Sequence, residues 1–280
     1  MPRTTLFYFG RFNVLAIYEE KMAMLLQGFR TDTIHESHRQ RWGFFNIAEE
    51  ESRLGTFLTG YLAKFRPVEE EEVAQLDTHV IGTASIENKI IARSRFCLHV
   101  PSGLIAFHVV AGQITTSTFR KVFAKLFMAG LQNFFVSAEI SMVEDRVEFF
   151  NCLGRFARIY RVRVLLHPSN PRSARMWHRL DWRIKRRNAT TYMEEIRNET
   201  PGGSLSIAGD LDLQSKFNMA SDGYGVAEVT GLIEDRHRTV RTSDNPVVAR
   251  VPSFQITSGG LLEHLADRFS EVLARISGER

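Results

Sequence analysis

Cysteine is nearly absent from this sequence. Two residues, Cys97 and Cys152, stand in 280, too few for a disulfide framework and suited to reduced, mostly buried thiols in a cytoplasm. Long apolar runs are missing as well. None approaches the ~18–20 residues that a bilayer-spanning helix needs, so no membrane partner is expected. Met1-Pro2-Arg3-Thr4-Thr5 leads straight into an alternating segment, without the apolar stretch and small-residue cleavage site of a secretory leader. That too points to a cytoplasmic location. The chain shows no internal repeat and no low-complexity tract, and zinc-finger spacing, an RNA-recognition aromatic signature and a glycine-rich phosphate loop are all lacking.

What is present argues for a packed globule: 44% hydrophobic residues and 21 phenylalanines. The spacing predicts strands over Leu6–Ile17, Trp42–Ile47, Thr56–Phe65, Phe134–Val143 and Phe156–Leu166. A hairpin is predicted where Pro101-Ser102-Gly103 joins Arg93–Val100 to Leu104–Val110. Helices are expected over Glu19–Phe29, over Glu144–Leu153, and from Pro67 with glutamates 69–72 in its first turn. Another covers Thr115–Ala129, with an apolar stripe through Phe119, Phe123 and Phe127 and an end at Gly130. The order implies an α+β fold, a mainly antiparallel sheet covered by helices. The polar, glycine-containing stretch Asn198–Gly203 reads as a linker. It divides a core domain, 1–197, from a β-rich segment, 198–280, with short strands over Leu205–Val251 and a closing helix capped near Ser258. The apolar face of that helix, from Leu261 through Leu265, Phe269 and Val272, must pack on something, and a second copy of the chain is one candidate.

Charge is distributed unevenly. Lysine is scarce, seven residues against 29 arginines, and the net charge is +4. From Leu153 to Arg187 there are ten arginines and one lysine against the single acid Asp181, a local +10 that leaves about −6 elsewhere. If a helix runs from Pro171 to Arg187, then Arg172, Arg175, Arg179, Arg183 and Arg186 fall within ~80° of one another, while Trp177, Leu180 and Ile184 face the core. Trp182 borders the stripe and suits stacking on a base. Arg161 and Arg163 on the preceding strand, with Lys185 and Arg187, complete a set that favours phosphate contacts, since the guanidinium fork matches a phosphate. Nucleic acid is therefore the expected partner. An acidic protein is the other, and the acidic runs at 49–51 and 69–72 offer internal neutralisation; a solvated helix face is the plainest explanation.

Catalytic signals are weak. Asp77 followed by Glu87-Asn88-Lys89 resembles the acid-pair-and-lysine arrangement of metal-dependent nucleases, in which two acids bind a divalent ion and the lysine polarises the attacking water. Magnesium or manganese would then be required; otherwise no cofactor is expected. The proline that leads such a motif is missing, and Glu19-Glu20-Lys21 supplies a second acid-x-lysine triplet. His35 and His38 sit three apart but lack further zinc ligands. Cys97 and His99 share a strand face and suit packing with Ile105 and Phe107. Cys152 and His167 are not linked by any spacing. Glu139, Glu144, Asp145 and Glu148 suit an exposed helix start, and Asp222-Gly223-Tyr224-Gly225 suits a tight turn.

Overall fold

The computed structural model describes residues 4–15, 21–29, 32–37, 40–75, 77, 79–131, 137–169, 176–253 and 260–277. Its architecture is α+β, built on two antiparallel sheets. The first contains β1 (Thr4–Leu15), β2 (Ile34–Ser37), β3 (Gln40–Ser52), β4 (Gly55–Gln75), β5 (Val80–His99), β6 (Leu104–His108), β7 (Ser137–Met142) and β12 (Val248–Pro252). Their order is β12-β1-β6-β5-β4-β3-β2, and β7 follows β12 along the outer edge of β1. The second sheet runs β11-β10-β8-β9, from β8 (Arg158–Leu166), β9 (Tyr192–Arg197), β10 (Gly225–Ile233) and β11 (Arg236–Arg241).

Alternation along the first sheet sends apolar side chains to both faces. One face, with Phe44, Phe96 and Phe107, is covered by α1 (Lys21–Gly28) and α2 (Thr116–Leu131). There Phe119 stacks on Phe107 at 4.0 Å, and Phe12 meets Phe127 edge-on at 4.8 Å. Such pairs add roughly 0.5–1.5 kcal/mol each beyond area burial. Gly130 does not end α2. It lies inside the helix, where α1 approaches so closely that a Cβ would sit 2.5 Å from the carbonyl oxygen of Gly28.

The opposite face, with Phe7, Phe9, Phe57 and Cys97, is covered by α6 (Leu261–Ser277). Phe269 lies 5.1 Å from Phe9 and 5.0 Å from Phe57. The apolar face of this helix is thus buried in its own chain, which removes the basis for a dimer through it; its expected cap at Ser258 lies outside the described residues. Cys97 sits opposite Ala106, and His99 opposite Leu104, so this face carries Leu104 and Ala106; Ile105 and Phe107 point the other way. Burial pushes the Cys97 thiol up to about 12, which makes it a packing residue.

The second sheet packs Val162, Val164 and Leu166 against α3 (Arg146–Gly154), α4 (His178–Arg186) and α5 (Leu211–Ser221). The boundary expected at 197/198 falls within this sheet, because β9 and β10, on either side of it, both pair with β8. Helix α5 was also unexpected. Glycines and charges around Leu205–Val251 suggest strands, but Asp210 caps α5 by accepting the N–H groups of Asp212 and Leu213, and Leu213 and Phe217 bury its inner face. The helix expected from Pro67 is a strand: glutamates 69–72 belong to β4, paired with Thr83–Ile86 of β5. Cross-strand pairing with that β-prone segment outweighs a helix-start signal. Among the described residues no helix is long and apolar enough to cross a membrane.

The two sheets meet at a buried polar seam. Arg11, fully buried in β1, donates from Nε to the Asp222 carbonyl (3.2 Å) and from Nη1 to the Ser102 carbonyl (3.1 Å), with its guanidinium 5.0 Å above the Tyr224 ring. Asn13 donates to the Gly223 carbonyl at 2.9 Å. The Asp222 carboxylate accepts the Trp177 indole N–H at 2.8 Å and pairs with Arg146. Gly223, at φ 83, adopts the left-handed conformation and leaves no room for a Cβ, which would meet that of Arg11 at 2.6 Å.

Glu144 lies beside this seam rather than at an exposed helix start. It is fully buried, and among the described residues neither carboxyl oxygen has a hydrogen-bond partner. Asp145, the next residue, is the cap of α3. Burial pushes the Glu144 carboxyl up to about 9 from the usual 4.5, helped by Asp244 and Asp145 and opposed by the backbone of Asn245. The native state therefore holds a proton that the unfolded chain releases above about pH 4.5. By linkage, this group lowers stability progressively as pH rises from about 4.5 to about 9 and has no further effect beyond. Glu144→Gln should remove that slope and raise the melting temperature above the parent's at pH 8. Parallel Tm–pH curves for the two proteins would show that Glu144 is not the group responsible. At the helix crossing, Gly130→Ala should cost about 1–3 kcal/mol in urea unfolding through overpacking, and an unchanged midpoint would contradict the close approach.

Candidate nucleic-acid interface

Helix α4 divides cleanly by burial. Leu180, Asp181 and Ile184 are buried with Trp177 at the N-terminal boundary, whereas Arg179, Trp182, Arg183 and Arg186 are exposed. At 100° per residue the four exposed side chains span about 100° of the helix circumference, opposite the buried sector. The helix is shorter than the 171–187 expectation: it begins at His178, and Arg172 and Arg175 lie outside the described residues. Its last turn holds Arg183, Lys185 and Arg186, where the helix dipole favours cations.

The basic residues of this helix differ in availability. Asp181, buried at 1% exposure, accepts the Ser169 backbone N–H (2.8 Å) and hydroxyl (2.7 Å) and pairs with Lys185 at 2.8 Å. Lys185 also donates to the Ser169 hydroxyl, so its role is to anchor the turn after β8. Arg183 has a loose pair with Asp212 at 3.7 Å. Arg186 lies over the Trp182 ring at 5.1 Å, and that indole is 53% exposed. Among the described residues Arg179 and Arg187 have no acidic partner. Beside them a groove of about 380 Å³ opens between α4 and α5, lined by Met176, Arg179, Leu180, Arg183, Leu211 and Asp212.

The strand arginines are not part of this surface. Val162 and Val164 face α4, so Arg161 and Arg163, alternating with them, point to the other side of the sheet. A sheet-to-helix spacing of ~10 Å plus a helix radius of ~5 Å puts the two arginine sets roughly 15–20 Å apart. On their own side Arg161 and Arg197 share Glu195, Arg241 pairs with Glu228 at 2.7 Å, and Arg163 approaches the Met193 sulfur at 3.9 Å. The run of charge from 153 to 187, contiguous in sequence, is therefore split in space by the second sheet.

The nuclease-like triplet is not assembled. Asp77 lies in the turn between β4 and β5, while Glu87 pairs with Val68 well down β5. Seven residues of strand separate Val80 from Glu87, a distance of ~23 Å, too long for one metal ion to bridge. Lys89 is engaged with Glu69 at 3.2 Å. Among the described residues no group of three His, Cys, Asp or Glu side chains is placed to hold a metal. His38 lies outside the described residues, and His35 is held below its usual pKa by burial and by Lys125. His167 hydrogen-bonds the Thr190 carbonyl through Nδ1 (3.0 Å), and its Nε2 lies 3.1 Å from Glu139.

Sequence reasoning missed Arg11, Asn13, Asp222 and Glu144 as buried polar groups. The available signal was Arg11 and Asn13 interrupting an otherwise apolar strand; a charged side chain there requires partners from elsewhere in the fold. Comparison with protein-family models gives no match, and comparison with curated proteins gives none either.

Proposed function

We propose that the protein binds single-stranded nucleic acid through the outer face of α4. The supporting observation is the exposed Trp182 indole with Arg186 over its ring, flanked by Arg179 and Arg183 on the same sector of the helix. The guanidinium groups supply phosphate contacts, and the indole supplies a stacking platform that an unpaired base can use and a duplex cannot. The apolar walls of the neighbouring groove, Met176 and Leu211, extend that platform. Lys185, held by Asp181, contributes to the helix frame; Arg187 extends the basic surface. Arg161 and Arg163 stand apart from this interface. The cytoplasm is the proposed compartment, in keeping with two free cysteines.

Fluorescence anisotropy with labelled single- and double-stranded DNA and RNA tests the reading. Four phosphate contacts on a single strand predict a loss of affinity of about 50-fold between 50 and 200 mM salt. Trp182→Ala should weaken binding by about 5- to 150-fold. The triple change Arg179→Glu, Arg183→Glu and Arg186→Glu should abolish binding while leaving the circular dichroism spectrum unaltered. Undiminished binding by a folded triple variant would overturn the assignment.

A further inference from the structure

The β4–β5 hairpin runs well beyond the sheet it belongs to. β3 accompanies β4 only as far as Phe65, and β6 accompanies β5 only from Phe96. Among the described residues Val68–Gln75 and Val80–Glu87 therefore pair only with each other, forming a ribbon with two open edges. An isolated two-stranded ribbon is marginal in water. This one also exposes large apolar side chains, Val68 at 58%, Val80 at 56% and Ile81 at 73%. Directly paired residues share a face, so Val68, Glu70 and Glu72 lie on one exposed face with Glu87, Thr83 and Ile81. That face combines an acidic stripe with an apolar one.

The open face of the second sheet is its complement. It carries Arg161, Arg163, Arg197 and Arg241 around the apolar Val226 and Met193, the last 63% exposed. Among the described residues Glu195 and Glu228 offset the arginines there, with Glu199 at 4.0 Å from Arg197, and no helix packs on this side. We propose that this chain self-associates, the acidic ribbon of one copy lying on the arginine-bearing open face of the second sheet of another. Pairing of ribbon with ribbon would set Glu70, Glu72 and Glu87 against their own kind. Eight residues of strand reach ~26 Å. One such contact buries on the order of 500 Å² from each partner, and two exchanged about a twofold axis give roughly 2,000 Å², the range of stable interfaces. The α4 surface takes no part in this contact, so self-association and nucleic-acid binding stand or fall separately.

Sedimentation velocity on the full chain decides the matter. At about 100 μM and 50 mM salt the chain should sediment as a dimer, and at about 500 mM salt, where screening is nearly complete beyond a few ångströms, it should dissociate. Glu70→Arg with Glu72→Arg, or Arg163→Glu with Arg197→Glu, should each weaken the dimer at least tenfold. A chain carrying all four changes should regain it. Thermal melts of each variant separate lost association from lost folding. A monomer at low salt, a dimer indifferent to both pairs, or a four-change chain that stays monomeric would overturn the proposal.

Discussion

The turn from Ser221 to Gly225 is the constraint on which the rest of the structure depends. Arg11 and Asn13 reach it from the first sheet, Arg146 from α3 and Trp177 from the start of α4, and all four bind Asp222 or Gly223. A buried arginine costs stability unless partners meet its donors. Arg11 has the Ser102 carbonyl within its own sheet, but the Asp222 carbonyl that it binds, and the Gly223 carbonyl that Asn13 binds, lie more than two hundred positions away, so the seam forms only when both sheets are in place. The same contacts orient the second sheet. Trp177 is fixed by Asp222, and the helix that follows it must then present Leu180 and Ile184 inward and Trp182 outward.

That orientation gives the arginines their meaning. In sequence they form a single run, and a single surface is the natural expectation. In space, strand alternation sends Arg161 and Arg163 to one side and helical periodicity sends Arg179, Arg183 and Arg186 to the other, with the second sheet between them. The two sides differ in chemistry as well as position. The helix side offers an exposed indole and two arginines without acidic partners among the described residues. The sheet side offers arginines already interleaved with Glu195 and Glu228, around an apolar patch.

Local patterns revealed much of this fold and non-local ones concealed the rest. The α2 stripe, the Pro101-Ser102-Gly103 turn and the alternation of β8 are set by neighbouring residues, and each was legible. Glutamates 69–72 misled because helix-start chemistry and strand pairing compete, and the winning partner lies eleven or more residues further on. Asn198–Gly203 resembled a linker because its residues are polar, yet β8 pairs with strands on both sides of it. Glu144 looked exposed because charge usually is; only packing reveals its burial. Of the candidate site, the burial pattern of α4 was legible from its period. The separation of Arg161 from Arg179 was not, since it depends on which face of the sheet the helix covers.

Ultraviolet cross-linking of bound single-stranded nucleic acid, followed by mass-spectrometric mapping, tests most directly whether the second sheet divides the arginine run into two surfaces. Cross-links concentrated on the peptide around Trp182, with none on β8 or β9, are the predicted result. Cross-links on Tyr160–Leu165 or Tyr192–Arg197 equal to those on α4 would contradict it, because both faces of the sheet would then be contacting the strand.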